Sequence, residues 1–227
     1  MEKKTLVLSL GGSLIIPNEV NSSFLKNFRE LIKENTKKYK FVIVCGGGSV
    51  ARKYIAGLAD DNKSNYLQSL IGISVTRLNA RFMSYFFGKD PEKGIAHDMK
   101  TIKNLLKKND VVFCGALRYA PNQTSDATAT RLAAYLKTPF INLTNIKGLY
   151  DKNPKLPGAK FIPKATIKEF NKIVMSIPNK PGMHAPVDHV AIKVIRTNKI
   201  KTYILGPDLK QLQNLLENKD FVGTIIE

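Results

Sequence analysis

Three consecutive glycines stand at a junction where the segment FVIVCGGGSVARKYI (41–55) changes from β-branched and aromatic residues to a helical pattern. One glycine would suffice for a tight turn, because glycine takes a positive φ without steric cost. We infer that Gly46, Gly47 and Gly48 leave room for a large polar group beside the main chain. Peptide N–H groups and a helix N-terminus bind anionic oxygens at such a turn, so the pattern predicts a phosphate-binding loop.

Similar loops follow other apolar runs of the chain. These loops are GGS (11–13), GALRYAPNQTSDATA (115–129) and TNIKGLYDKNP (144–154). In a parallel α/β sheet, ligands gather outside the carboxyl ends of the strands, where these loops would meet. Several anion-binding loops on one edge predict a polyphosphate ligand or two phosphorylated ligands.

The common nucleotide and hydrolase motifs are absent from the sequence. It contains no GxxxxGK[ST], no matching GxGxxG, no HRD with DFG, and no GxSxG. The loops therefore predict phosphate binding of another kind.

Short apolar runs without strict alternation predict strands that are covered on both faces. They are TLVLSL (5–10), KFVIVC (40–45), DVVFCG (110–115), PFINLT (139–144) and KTYILG (201–206). Amphipathic patterns between and around them predict helices near 21–38, 50–59, 65–87, 98–108, 125–136, 166–174, 187–197 and 208–217. This alternation predicts an α/β fold with a mainly parallel central sheet.

Composition predicts a soluble, cytoplasmic protein. The 227 residues are 43% hydrophobic, no long apolar run suggests a membrane span, and the N-terminus lacks a signal-peptide pattern. Cys45 and Cys114 each end an apolar run, which predicts buried strand ends rather than a disulfide or zinc site.

A net charge of +18 has two explanations, a nucleic-acid partner or a general attraction for small anions within a lysine-rich composition. The lysines are dispersed, and no aromatic RNA-binding motif accompanies them. The sequence therefore disfavours nucleic acid as the partner.

The order of motifs from one end of the chain to the other resembles the amino-acid-kinase family and, within it, UMP kinases of archaeal type. The motifs are LGGSLI, VCGGGSVARKYI, IGISVTRLNA (71–80), TSDATA (124–129), LTNIKGLYDKNP, PVDHVAIKVI (186–195) and GTIIE (223–227). The resemblance implies one domain over 1–227, a three-layer α/β/α sandwich with an acceptor half at about 1–137 and an ATP half at about 138–227.

The resemblance also implies a reaction, in which ATP phosphorylates UMP to UDP in pyrimidine nucleotide biosynthesis. It further implies Mg²⁺ bound with ATP, no metal ligands from the protein, and a homo-hexamer built as a trimer of dimers. Phosphoryl transfer suits such loops, because it depends on positioning and charge neutralisation rather than on a covalent protein group.

Site roles follow from the resemblance, position by position. The catalytic set is Gly11, Gly12, Ser13, Lys147 and Lys180. The UMP set is Gly46, Gly47, Gly48, Arg52, Ser69, Thr124, Ser125 and Asp126. The ATP set is Ser9, Gly11, Ser13, Thr144, Asn145, Gly148, Tyr150, Asn153 and Pro154.

Some positions depart from the family pattern. Ser9 stands where many members have lysine, Asn145 where bacterial UMP kinases have lysine, and Ser69 where an aspartate usually holds the acceptor ribose. Our hypothesis is that Lys147 or Lys180 supplies the missing cation, the alternative being that both are solvated loop residues.

Other readings of single residues stay open. Arg52 could be a surface residue, and Asp126 could serve the helix dipole alone. We expect Asp188 to cap a helix. The histidines His97, His184 and His189 lack metal-ligand spacing, and the Phe82, Tyr85 and Phe86 stripe predicts core or a subunit interface.

Two further functions compete with a kinase. One is a nucleotide- or oxyanion-binding protein of the same fold with weak or lost kinase activity, and the other is a basic nucleic-acid-binding regulator.

Overall fold

The protein is described by a computed structural model that covers residues 3–90, 94–119, 124–177 and 186–227. A central sheet of seven strands has the order β3-β2-β1-β4-β8-β9-β7, and β5 pairs with β6 in a separate small sheet. The strands are β1 (Lys4–Leu10), β2 (Tyr39–Cys45), β3 (Val111–Cys114), β4 (Phe140–Leu143), β5 (Leu149–Tyr150), β6 (Phe161–Ile162), β7 (Lys164–Ala165), β8 (Thr202–Leu205) and β9 (Thr224–Ile226).

The helices fill the intervals between these strands. They are α1 (Gly12–Ile15), α2 (Ser22–Asn35), α3 (Gly48–Asp60), α4 (Asn65–Phe86), α5 (Met99–Lys108), α6 (Ser125–Leu136), α7 (Ile167–Ser176), α8 (His189–Asn198) and α9 (Leu209–Leu216). Among the described residues, no helix is long and apolar enough to cross a bilayer.

The five strands that the apolar runs predicted are present, each within about a residue of its predicted bounds. They pair in parallel from β3 to β8, whereas β9 runs antiparallel to β8. The α/β fold with a mainly parallel sheet is thus confirmed. The apolar patterns missed the two-residue strands and β9, because such short runs carry little periodicity.

The core lies on both faces of the sheet. Consecutive residues of β1 and β2 are buried, which an exposed face would not allow since successive side chains point to opposite faces. Cys45 and Cys114 are free and buried at the ends of β2 and β3, as the sequence predicted.

Caps fix where the helices begin. Asn21 accepts a hydrogen bond from the Phe24 amide at the start of α2, at 3.4 Å. Thr166 and Glu169 form a reciprocal capping box at the start of α7. The predicted helices therefore begin close to their sequence signals.

Candidate active site

The parallel strands bring four loops to one edge of the sheet. Ser9 pairs in register with Val44 of β2 and with Asn142 of β4, so the ends of β1, β2 and β4 lie side by side. The Gly11 amide donates to the Leu143 carbonyl at 2.9 Å, which joins the turn after β1 to the end of β4. The loops in which the sequence predicted phosphate binding therefore begin at a common edge.

The two glycine turns pack directly against each other. A Cβ built on Gly12 would lie 2.0 Å from the Gly48 nitrogen, and one on Gly48 would lie 2.5 Å from the Gly12 carbonyl oxygen. Gly48 also has φ +65°, a conformation that favours glycine. No other residue fits at Gly12 or Gly48 without moving a backbone.

The three glycines are required by packing within the protein, and not, as the sequence predicted, by clearance for a ligand. A Cβ on Gly46 would lie 2.5 Å from the Gly12 nitrogen, and one on Gly47 would lie 2.4 Å from the Ala51 methyl. The missing side chains thus make room for the protein's own atoms. Contact between this turn and an acceptor nucleotide stays a prediction.

Helix α4 holds the glycine turn and the loop after β3. The buried Asn79 amide donates to the Gly46 carbonyl at 2.7 Å. The Thr76 hydroxyl oxygen accepts from the Ala116 amide at 2.9 Å, and Arg77 Nε donates to the Ala116 carbonyl at 3.0 Å. Sequence reasoning missed these positioning roles, although polar residues on the buried side of a helix were the available signal.

Two residues of the predicted acceptor set lie on α3 and α4. Arg52 is exposed one turn into α3 and makes no hydrogen bond or ion pair with any described residue. The Ser69 hydroxyl donates to the Asn65 carbonyl of its own helix at 2.8 Å. Ser69 lies one turn before Gly72, where α4 packs against Ile55 of α3.

The start of α6 is fixed by a carboxylate from α8. Asp188 Oδ2 accepts from the Thr124 hydroxyl at 2.6 Å and from the Ala127 amide at 3.1 Å. Its Oδ1 accepts from the Val190 and Ala191 amides, both at 2.7 Å. The predicted capping role of Asp188 is confirmed for α8, and the same carboxylate also binds the N-terminus of α6.

Ser9 and Asp126 form the most unusual contact of the site. Ser9 is only 1% exposed, and its hydroxyl donates a hydrogen bond to Asp126 Oδ1 at 2.7 Å. Burial and the neighbouring charge of Asp188 raise the pKa of Asp126 to about 7, while the Ser9 hydrogen bond opposes the shift. Asp126 therefore does more than complement the helix dipole, since it joins the first turn of α6 to the end of β1.

The loop after β4 holds the predicted ATP residues. The Thr144 amide donates to the Leu205 carbonyl at 2.9 Å, and the Thr144 hydroxyl lies 3.4 Å from Asn145 Oδ1. Lys147 is exposed on this loop. Its backbone lies against Gly206, where a Cβ would come within 3.1 Å of the Lys147 Cα.

Thr224 of the closing GTIIE motif supports the continuation of this loop. Its hydroxyl oxygen accepts from the Leu149 amide at 2.8 Å and its hydroxyl donates to the Ile162 carbonyl at 2.6 Å. A Cβ on Gly148 would lie 2.6 Å from the same oxygen, so glycine is required there for packing. No local pattern in the sequence indicates this contact, because Thr224 and Leu149 are 75 residues apart along the chain.

The remaining predicted ATP residues lie in the second half of the 144–154 segment. Tyr150 makes an edge contact with Phe161, with ring centroids 5.6 Å apart. Asn153 accepts from the Lys155 amide at 3.0 Å, and Pro154 beside it is half-buried. Lys180, from the predicted catalytic set, and His184 lie outside the described residues.

The described residues were compared with the side-chain clusters that bind metal ions in proteins. In residues 3–90, 94–119, 124–177 and 186–227, no cluster of three or more histidine, cysteine or acidic side chains could hold one. His189 is instead hydrogen-bonded through Nε2 to the Val174 and Ile177 carbonyls.

Known proteins are similar to this chain in sequence and in fold. The sequence profile of the amino acid kinase family matches residues 4–206. The chain belongs to the amino acid kinase family. Within this family it is 31% identical over 225 residues to the uridylate kinase of Thermococcus kodakarensis, covering 98% of this chain and 99% of that protein. It is 34% identical over 209 residues to the uridylate kinase of Methanosarcina mazei, covering 90% and 88%.

Two solved structures are similar to this chain in fold. The crystal structure of uridylate kinase from Archaeoglobus fulgidus superposes with a TM-score of 0.83 at 32% identity, covering 99% of this chain and 100% of that chain. UMP kinase from Bacillus anthracis has a TM-score of 0.80 at 16% identity, covering 100% and 97%, and so shares the fold. The predicted amino-acid-kinase fold and the resemblance to archaeal-type UMP kinases are confirmed.

Proposed function

We propose that the protein is a UMP kinase, which transfers the γ-phosphoryl group of ATP to UMP and releases ADP and UDP. The observation that carries this proposal is similarity to archaeal uridylate kinases over almost the whole length of both chains. The convergence of glycine turns at the carboxyl edge of the sheet supports it, because phosphates bind to main-chain amides at such edges.

In this proposal, the turns after β1 and β2 bind the reacting phosphates. Their mutual packing holds both turns rigidly, and rigid amides stabilise developing charge without reorganising during the reaction. Arg52 makes no hydrogen bond or ion pair with any described residue. Its guanidinium group would form a bidentate hydrogen bond with the α-phosphate of UMP. Thr124, Ser125 and Asp126 would close the acceptor pocket.

ATP would lie against the loop after β4, from Thr144 to Pro154. Mg²⁺ would arrive as part of the substrate, bound to the ATP phosphates. The two carboxyls at the start of α6, those of Asp126 and Asp188, support this view. Asp188 is occupied by four close donors, and Asp126 binds Ser9.

A cation from the protein would still be needed where the family places lysine. We propose Lys147 for this role, or Lys180. Lys147 supports the idea by its exposure and by its place on the loop after β4, where ATP would lie. Turnover of Lys147→Met and Lys180→Met tests it, since rates within threefold of the parent for both variants would remove the idea.

The division into an acceptor half near 1–137 and an ATP half near 138–227 is part of the same proposal. A cytoplasmic role in pyrimidine nucleotide biosynthesis would follow from the reaction. Assembly into a hexamer as a trimer of dimers is supported by exposed apolar residues on α4, among which Leu78 is 60% and Tyr85 51% exposed.

A second function stays in competition, that of a nucleotide-binding protein with weak or lost kinase activity. The observation that favours it concerns Ser9, which stands at the family's lysine position. Its hydroxyl donates a hydrogen bond to Asp126. Phosphoryl transfer without that cation would leave more charge repulsion between the two substrates.

A coupled ADP-release assay with UMP, CMP, dUMP and AMP separates the two functions. We expect turnover with UMP at a higher kcat/KM than with AMP. If no acceptor gives ADP release while the protein still binds ATP, the kinase proposal is contradicted.

Arg52→Ala tests the acceptor site, with Lys53→Ala as the matched control because Lys53 is the next exposed cation on α3. Loss of a charged contact to phosphate should raise the KM for UMP by about tenfold or more. The control should leave it nearly unchanged. Equal effects of the two substitutions would show that Arg52 contributes only general charge.

A further inference from the structure

Three polar side chains of the TRLNA motif (76–80) connect α4 with the carboxyl edge of the sheet. Thr76 and Asn79 are buried, and Arg77 is half-buried. Buried polar groups are almost always hydrogen-bonded, so their partners show which segments the helix holds in place. For this motif the partners include main-chain atoms of the glycine turn after β2 and of the loop after β3.

The loop after β3 is attached to α4 over three consecutive residues. The Thr76 hydroxyl oxygen accepts from the Ala116 amide. Arg77 donates through Nε to the Ala116 carbonyl and through Nη2 to the Leu117 carbonyl. Gly115 lies against the helix backbone, because a Cβ on it would come within 2.6 Å of the Arg77 nitrogen. Movement of this part of the loop away from α4 would therefore break all of these hydrogen bonds.

The same helix fixes the neighbouring glycine turn. Because β2 and β3 pair in parallel, the turn after β2 and the loop after β3 leave the sheet side by side. Asn79 donates to the Gly46 carbonyl at 2.7 Å. The predicted acceptor residues include Gly46–Gly48 in this turn and Thr124–Asp126 at the far end of the loop after β3. The spacing between the two sides of the predicted acceptor pocket thus depends on α4.

Arg77 is unusual in the partners of its guanidinium group. A buried cation is normally paired with a carboxylate. In the part of the chain that the structure describes, Arg77 forms no ion pair and donates to carbonyl oxygens instead. Burial lowers the pKa of the Arg77 guanidinium. The two carbonyls of the loop therefore compensate for the partial loss of water around this charge.

The arrangement of the two carbonyls suits arginine in particular. A guanidinium group is planar, and its N–H donors point in fixed directions, so it binds two adjacent oxygens at once. A lysine ammonium group is a single donor centre on a flexible chain and would not fix the direction of both carbonyls. The contact with consecutive carbonyls thus indicates that Arg77 determines the course of the loop, and does not only supply a positive charge.

We propose that Arg77 is a positioning residue for the acceptor. Its guanidinium group holds the Ala116 and Leu117 carbonyls, so that the loop after β3 forms one wall of the acceptor pocket beside the glycine turn. The effect on the acceptor rests on the proposed kinase function, whereas the attachment of the loop to α4 does not.

Steady-state kinetics of Arg77→Met test the effect on the acceptor. Methionine keeps an unbranched side chain but removes the donors and the charge. We expect the KM for UMP to rise about tenfold, because charged hydrogen bonds that hold the pocket wall are lost. The KM for ATP should stay within about twofold of the parent and kcat within about threefold, because acceptor binding alone is weakened. Equal increases in both KM values would overturn the proposal.

Arg77→Lys separates the fixed geometry of the guanidinium group from its charge. Lysine keeps the charge, so a role in attracting the acceptor phosphate would leave the KM for UMP close to that of the parent. We expect Arg77→Lys to resemble Arg77→Met, because an ammonium group does not hold two carbonyls in fixed directions. A KM for UMP restored to the parent value by lysine would overturn the positioning role.

Arg81→Met is the matched control. Arg81 is the next arginine of α4, one turn further along the helix, and it is exposed. Its replacement removes the same charge from the same helix and should leave the KM for UMP within about twofold of the parent. The assignment to Arg77 fails if Arg81→Met raises this KM as much as Arg77→Met does.

Amide hydrogen exchange tests the attachment of the loop without any need for activity. Arg77→Met should speed exchange in residues 115–119 by about tenfold or more, because the loop then opens more easily from α4. Exchange in residues 41–49 should stay as in the parent, since Asn79 still holds Gly46. Unchanged exchange in residues 115–119 would overturn the holding role of Arg77. A parent protein that neither binds nor phosphorylates UMP would refute the kinase proposal, and hydrogen exchange would still decide whether Arg77 holds the loop.

Discussion

Replacing Asp126 with asparagine should change how the stability of the protein depends on pH. The pKa of Asp126 is raised from 3.8 to about 7 by burial and by the charge of Asp188. The folded chain therefore keeps this proton up to nearly neutral pH, whereas the unfolded chain releases it near pH 4. Because the folded state binds more protons across that window, the free energy of unfolding falls as pH rises through it.

The size of the effect follows from the shift. A displacement from 3.8 to about 7 corresponds to about 4 kcal/mol over the whole window. Between pH 5 and pH 8, which avoids acid denaturation, the contribution is about 2 to 3 kcal/mol. Asparagine keeps the shape of the side chain and cannot ionise, so Asp126→Asn should remove this part of the pH dependence.

Urea unfolding at pH 5 and pH 8 measures the difference. Relative to the parent, Asp126→Asn should gain about 2 to 3 kcal/mol more at pH 8 than at pH 5. Asp61→Asn is the control, because Asp61 is an exposed carboxylate that forms a surface ion pair with Lys63 at 3.0 Å. An equal change in the free energy of unfolding of Asp126→Asn at both pH values would contradict a raised pKa for Asp126 in the folded protein.

Three further substitutions test the supports of the site. Gly12→Ala should prevent the glycine turns from packing, since its Cβ would lie 2.0 Å from a backbone nitrogen, and a folded variant with unchanged unfolding midpoint would contradict this. Asn79→Leu should cost about 1 to 3 kcal/mol in urea unfolding by leaving the buried Gly46 carbonyl without its donor, and a cost near zero would show that water replaces it. Thr224→Val keeps the side-chain shape but loses two hydrogen bonds, so we expect a lower midpoint of thermal unfolding and a raised KM for ATP. An unchanged midpoint would contradict the stabilising role of Thr224, and an unchanged KM would contradict its role in supporting the ATP loop.

Local patterns in the sequence were sufficient to predict the principal strands and helices. Each predicted strand is a mainly apolar run with glycine or threonine at its end or directly after it, and each major helix carries a strong periodic pattern or a cap. The phosphate-loop prediction followed from these elements, because parallel strands place their following loops at one edge.

Contacts between distant parts of the chain could not be predicted in this way. The hydrogen bond from Ser9 to Asp126 joins residues 117 positions apart, and the second role of Asp188 depends on where α6 and α8 meet. The glycine turn shows the same limit. The three glycines correctly predicted a turn at which side chains are not tolerated. Only the fold shows that the backbone of the turn after β1 occupies the place of those side chains.

A crystal structure with UMP and a non-hydrolysable ATP analogue is the most direct test of the proposal that the loops at one edge of the sheet bind the phosphates of both substrates. We expect the UMP phosphate beside Gly46–Gly48 and Arg52, and the ATP phosphates between the turn after β1 and the loop after β4. The two phosphate groups should face each other across the edge where β1, β2 and β4 end. Phosphates bound on separate surfaces, or a triglycine turn that contacts no ligand, would contradict it.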